Sequence, residues 1–176
     1  MKDNNPFHII PAKDGECINI IVEIAKNSRT KYEFNKKYGV IEVDRVLHTP
    51  IAYPFSYGLI PQTWNDYDHD PLDAIIISSE SIMPGALTRC KVVGMLSVDD
   101  NGERDDKVLA VLADDPYVNH IESIDDMGNK LKEDIHYFME HYKDLEKKTV
   151  KVNAWQNKKE AEEFIEECIE CYFKTK

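Results

Sequence analysis

The sequence has no long hydrophobic run. Its longest apolar stretches, such as Ala74-Ile75-Ile76-Ile77, are far too short to span a bilayer as a helix. The opening residues Met1-Lys2-Asp3-Asn4-Asn5-Pro6 lead into no apolar segment, so no secretory signal is expected and the cytoplasm is the default location. Positive charge is in the minority, with 22 Lys and Arg against 33 Asp and Glu and a formal net charge of −11. Such a surface repels phosphate backbones and anionic lipid, which argues against nucleic-acid and membrane partners. Several catalytic signatures are missing as well. There is no Walker A run, no G-x-G-x-x-G and no G-x-S-x-G. No H-E-x-x-H occurs, and the nearest two histidines, His136 and His141, stand five apart rather than on one helical face. P-loop nucleotide enzymes and zinc proteases are therefore unsupported. Cysteine is sparse, with four in all. Cys168 and Cys171 form a C-x-x-C, but no second pair completes a zinc ribbon. The pair falls near the end of a helical pattern, where a redox pair would open one, so reduced thiols in a helix are expected.

What is present describes an ordinary globular chain. With 176 residues, 42% hydrophobic and 31% charged, it suits one domain, residues 1–176, with a proper core. No repeat, low-complexity tract or linker divides it. Ile18-Asn19-Ile20-Ile21-Val22-Glu23-Ile24 alternates as a half-buried strand, with Ile18, Ile20, Val22 and Ile24 on one face and Glu23 on the other. Further strands are expected over 31–34, 40–47, 74–77, 88–98, 107–112 and 150–155. Met83-Pro84-Gly85 is a break, and Asn101-Gly102 reads as a hairpin turn. Apolar residues at Leu131, Ile135, Phe138, Met139 and Tyr142 follow helical spacing. So do Ala161, Phe164, Ile165, Cys168, Ile169 and Tyr172. The expected class is α+β, mainly β: a small barrel or curled sheet with two main helices packed outside.

The chemistry gathers in oxygen-rich segments. Asp68-His69-Asp70-Pro71-Leu72-Asp73 is the densest set of hard-cation ligands. Drawn as an extended segment, it projects Asp68 and Asp70 to one side, and a turn at Pro71 brings Asp73 round to them. Three gathered carboxylates are costly unless a cation neutralises them. By itself the run reads equally as a solvated acidic turn. It is not an EF-hand, since Leu72 and Asp73 stand where a polar ligand and Gly are needed. A second run, Asp99-Asp100-Asn101-Gly102-Glu103-Arg104-Asp105-Asp106-Lys107, would alone be a charged hairpin tip. In it Asp105 and Lys107 share a side, one suited to metal and one to phosphate. Lys31, Arg45, Tyr53, Tyr57, Tyr142 and Lys143 supply cations and phenols able to hold phosphoryl oxygens. Pro54 and Gly58 are expected to fix the turn that carries Tyr53 and Tyr57. A chain this acidic holds a polyanion only if bound cations invert the local field.

Together, in this order, the segments resemble the family I soluble inorganic pyrophosphatases of bacterial type. The likeness runs from Ile18 to the last helix. It is carried by Lys31-Tyr32-Glu33, Val43-Asp44-Arg45, Tyr53-Pro54-Phe55-Ser56-Tyr57-Gly58, the D-x-D-P-x-D of Asp68 to Asp73, and Glu140-His141-Tyr142-Lys143-Asp144-Leu145-Glu146. The resemblance implies an OB-like five-stranded β-barrel and a cytoplasmic homohexamer. It implies hydrolysis of inorganic pyrophosphate to two orthophosphates, by in-line attack of a metal-bridging water or hydroxide activated by two Mg2+ and Asp70. Several Mg2+ per site are implied, with other divalent cations admitted. By the same resemblance Asp68, Asp73 and Asp105 hold the tightest magnesium, and Asp73 also reaches a second. Asp99 with Asp105 serves a third, and Glu23 a fourth. Asp70 is the general base. Lys31, Arg45, Tyr57, Lys107, Tyr142 and Lys143 bind the phosphates, and Glu33, Tyr53 and Asp100 support them. His69 departs from the small or acidic residue usual in the family, and Tyr137 stands where some relatives carry an interface histidine. A phosphohydrolase acting on a larger phosphoanhydride and a non-catalytic phosphate-binding module are the competing readings.

Overall fold

The computed structural model describes residues 5–175. A short helix α1 (Pro6–Ile9) leads into strands β1 (Lys13–Asp14), β2 (Cys17–Ile24), β3 (Thr30–Asn35), β4 (Val40–Val46), β5 (Ser56–Leu59) and β6 (Asp73–Ile77). These are followed by the long β7 (Leu87–Asp100), then β8 (Glu103–Arg104) and β9 (Lys107–Leu112). Helix α2 (Asn129–His141), a 3-10 turn (Asp144–Glu146), β10 (Val150–Asn157) and helix α3 (Lys158–Thr175) complete the chain. The molecule is mostly sheet with few helices, as the sequence pattern implies.

The strand pairings return on themselves. β2 pairs with β5, β5 with β6, β6 with β9, β9 with β7, and β7 again with β2. β7 closes the ring because it is long: Leu87 to Cys90 face β2, Cys90 to Leu96 face β9, and Gly94 to Asp100 face β10. β3 and β4 form a separate two-stranded sheet. β6 and β9 run parallel and are buried on both sides. Ala74, Ile76, Val108 and Ala110 join the cluster completed by Phe164 and Ile165 of α3. Ile75, Ile77, Leu109 and Val111 join the cluster completed by Ile135, Phe138 and Met139 of α2. Double-sided burial explains why the 74–77 run is continuously apolar instead of alternating.

Three local expectations change. First, Ile24 does not share the face of Ile18, Ile20 and Val22. A register shift between Val22 and Ile24 turns it into the α2 cluster and turns Glu23 inward. Second, residues 56–59 are a strand, where the sequence suggested part of a turn. Gly58 is needed there because a Cβ would lie 2.2 Å from the Ile21 carbonyl oxygen, so it permits close strand approach to β2. Third, the 65–70 segment is a compact turn and not an extended stretch. The Asn65 N–H donates to the Asp70 carbonyl at 2.8 Å and the His69 N–H to the Asn65 carbonyl at 2.9 Å. His69 adopts φ +59, a left-handed position that His tolerates better than most residues and a small residue such as Gly tolerates best. The Asn101-Gly102 hairpin forms as expected, with φ of +60 and +95 and Asp99 paired to Arg104. All four cysteines are free thiols, Cys168 and Cys171 within α3.

Candidate active site

A cleft of ≈ 560 Å³ opens between the β3–β4 sheet, the 65–73 turn and the β7–β8 hairpin. Its floor is Lys107, 2% exposed, at the start of β9. The Lys107 ammonium donates to Asp73 at 2.6 Å and to Asp105, and lies 5.9 Å from the Tyr57 ring centroid. Asp73 opens β6 directly opposite Lys107, so the parallel register itself brings acid and cation together. Burial pulls the Lys107 pKa down, but Asp105 and Asp73 outweigh it and hold the ammonium well above its usual range. Asp105 is correspondingly lowered, burial being overcome by Lys107.

The carboxylates are crowded. Asp68 faces Asp105 in the cleft, and burial, then the nearness of Asp105, raises its pKa from 3.8 to about 7. Glu23, turned inward by the bulge and 7% exposed, accepts the Phe34 N–H at 2.7 Å. Burial, then the charge of Asp73, raises its pKa from 4.5 to about 8. Asp70 is raised by burial, opposed by an ion pair to Lys36.

Across the cleft, β3 and β4 set Lys31 and Arg45 directly opposite each other. Like charges so placed repel. Lys31 is neutralised by Glu33 and by Asp44 at 3.2 Å. Arg45 is neutralised by Asp44 and by a two-pronged contact to Glu146, at 3.1 Å from Nε and 3.0 Å from a terminal nitrogen. Lys143, just past α2, pairs with Asp100 at the far wall. Tyr57 is half-buried and Tyr142 buried, and burial raises both phenols well above the usual range. Tyr53, 3% exposed, packs against Phe138 at 4.4 Å and against Tyr57 and Tyr142, and so buttresses both.

Glu23, Lys31, Glu33, Tyr57, Asp68, Asp70, Asp73, Asp100, Asp105, Lys107, Tyr142 and Lys143 therefore all line one cleft. Arg45, Tyr53 and Asp99 do not. Arg45 is drawn toward Glu146, and Asp99 accepts the Gly102 N–H at 2.8 Å, which caps the hairpin. Alternation along β7 sends Asp100 to the cleft instead. Lys36 and Glu103 line the cleft without any sequence signal that singled them out. Lys36 sits at a hairpin tip, where spacing carries no information about direction.

The donors fit a hard divalent cation in kind: oxygen only, acidic, and crowded, with Asp68, Asp73 and Asp105 lining one cleft. Among the described residues, no three His, Cys, Asp or Glu side chains are gathered into a ready metal site. The Lys107 ammonium stands between Asp73 and Asp105 and offsets their charge.

Residues 20–173 match the family described as Pyrophosphatase: Inorganic pyrophosphatase. The chain is similar to the inorganic pyrophosphatase of Corynebacterium efficiens, 44% identical over 156 residues that cover 88% of this chain and 98% of that protein. It is 45% identical to the inorganic pyrophosphatase of Rickettsia bellii over 157 residues, 87% of this chain and 89% of that protein. The crystal structure of inorganic pyrophosphatase from Thermus thermophilus superposes with a TM-score of 0.90 at 36% identity, covering 96% of this chain and 98% of the other.

Proposed function

Because the chain belongs to the inorganic pyrophosphatase family, we propose that it hydrolyses inorganic pyrophosphate to two orthophosphates with the help of several Mg2+ ions. The observation that carries this reading is the cleft itself, where buried cations and acidic oxygens alternate around a space suited to a small polyanion. Asp68, Asp73 and Asp105 are the proposed holders of the tightest cation, with Glu23 at the inner wall. Asp100, which lines the cleft, is better placed for the third position than Asp99. When bound, magnesium offsets phosphate charge and makes nearby water more acidic.

The chain's own groups divide the remaining work. Lys31, Lys107 and Lys143 donate to phosphoryl oxygens, and the Tyr57 and Tyr142 phenols donate without adding charge. Arg45 joins them by exchanging Glu146 or Asp44 for a phosphate oxygen. The Asp70 carboxylate accepts a proton from the attacking water as the new P–O bond forms and the bridging P–O bond breaks. Substrate anions replace Glu33 and Asp44 as partners of the opposed Lys31 and Arg45, so the repulsion built into β3–β4 works in favour of binding.

The ring of five strands supports the OB-like barrel as the architecture. A cytoplasmic homohexamer completes the reading. Tyr137, 58% exposed and 4.3 Å from the His141 ring, offers an aromatic contact face on α2. Sedimentation mass, against 20.4 kDa for one chain, tests the assembly. Phosphate release from pyrophosphate, with and without Mg2+, tests the activity. Undiminished turnover after chelation of every divalent cation would overturn it.

A further inference from the structure

We propose that Arg104 is a positioning residue whose guanidinium ties together the two loops that carry Asp68 and Asp105, and so fixes the spacing of these carboxylates for a divalent cation. The role rests on the metal-dependent reading above. Arg104 immediately precedes Asp105. Its guanidinium carbon lies 4.4 Å from the Tyr67 ring centroid and 4.7 Å from that of Phe164. The two rings are 6.4 Å apart and tilted by 35°, so the guanidinium sits in the notch between them. Tyr67 immediately precedes Asp68, and Phe164 belongs to α3. One cation therefore joins the turn, the hairpin and the helix.

The other end of the guanidinium is anchored as firmly. Arg104 Nε donates to Asp106 Oδ2 at 2.7 Å, and the Asp106 side chain is fully buried. Asp106 Oδ1 accepts the Val98 N–H at 3.0 Å, while the Asp105 N–H donates to the Val98 carbonyl at 2.9 Å. Both carboxylate oxygens of Asp106 are thus in use, and the backbone on either side of Asp105 is pinned to β7.

The consequence lies one residue away. Asp68 and Asp105 line the same cleft, near enough for each to act on the other's charge, and two carboxylates so placed repel once ionised. Free loops would separate them and give up a shared ligand position. A clamp just outside the pair makes their proximity a property of the fold before any cation arrives, which is how supporting contacts sharpen metal affinity.

The test titrates Mg2+ calorimetrically into the full chain in four forms: wild type, Tyr67→Ala, Tyr67→Phe, and the double variant Arg104→Met with Asp106→Asn. The double variant avoids leaving a buried carboxylate without its cation. Tyr67→Ala leaves the Arg104–Asp106 pair intact. Magnesium affinity is expected to fall by about tenfold in Tyr67→Ala and in the double variant, and to stay at the wild-type value in Tyr67→Phe, which keeps the ring. The Mg2+ concentration that half-saturates phosphate release should rise in the same two variants, with kcat at saturating Mg2+ retained. Either variant binding Mg2+ within about twofold of wild type, whatever its melting temperature, would overturn the positioning role. Equal weakening in Tyr67→Phe would overturn it too. Absence of Mg2+ binding in the wild type would instead overturn the metal-dependent reading, and the positioning role with it.

Discussion

Asp70 and Asp68 stand two positions apart yet meet different partners. His69 in the left-handed region turns the chain between them, so Asp68 faces the cleft beside Asp105 while Asp70 pairs with Lys36. The two should therefore fail differently. Asp70→Asn is expected to lower kcat for pyrophosphate by about 10²–10⁴ while Mg2+ binding measured by calorimetry stays close to wild type. The neighbours Asp99 and Asp100 offer a second contrast. Asp100→Ala removes a cleft carboxylate paired with Lys143 and should lower kcat/KM by about tenfold or more. Asp99→Ala removes a hairpin cap and should leave kcat/KM close to wild type. Steady-state phosphate release on the two variants decides it. Equal losses would mean that the hairpin turns in solution to present both acids.

At the scale of elements, the site depends on how closely strands approach. Gly58 lets β5 lie against β2, and that contact places Tyr57 over Lys107. Gly58→Ala would drive a Cβ into the Ile21 carbonyl, forcing a backbone shift that costs about 1–3 kcal/mol or more. A fall of several degrees in melting temperature, followed by circular dichroism, is expected. Most strand and helix positions were readable from periodicity, because alternation and helical spacing are local properties. β5 was not. It spans four residues, Ser56–Leu59, too short for alternation to show against Pro54 and Gly58. The bulge at Glu23 was equally hidden, because a register shift is set by the partner strand and leaves no mark in the strand's own pattern.

For the whole molecule, the crowded acids link stability to pH and metal. Glu23 holds its proton up to about pH 8 in the folded chain, against 4.5 when unfolded, and Asp68 holds its proton up to about 7 against 3.8. The folded state binds more protons, so its stability is greatest below the unfolded values and is lost as pH rises through the folded ones. Metal-free protein should accordingly unfold at lower urea concentration at pH 8 than at pH 5. Mg2+ should reverse the trend and release protons as it binds, since ligation requires the ionised carboxylates. Glu23→Gln should flatten the metal-free profile. A urea midpoint that climbs from pH 5 to pH 8 without metal would contradict the linkage. Chelation should likewise abolish phosphate release, with Mg2+ restoring it.

By itself the sequence determined the mostly-sheet class with two main helices, and the set of acids, cations and phenols from which a phosphate site could be made. It did so because residue type and short-range spacing are written locally, and because the order of segments from Lys31-Tyr32-Glu33 to Tyr142-Lys143 is specific. Only the tertiary structure decided that Asp100 and not Asp99 faces the cleft, that Glu23 is buried, and that Arg45 rests on Glu146. It alone brought Tyr67, Arg104 and Phe164 together, from positions far apart in the chain. Facing and distance follow from strand register and long-range packing, whose free energy belongs to pairs of segments and cannot be read from either one alone.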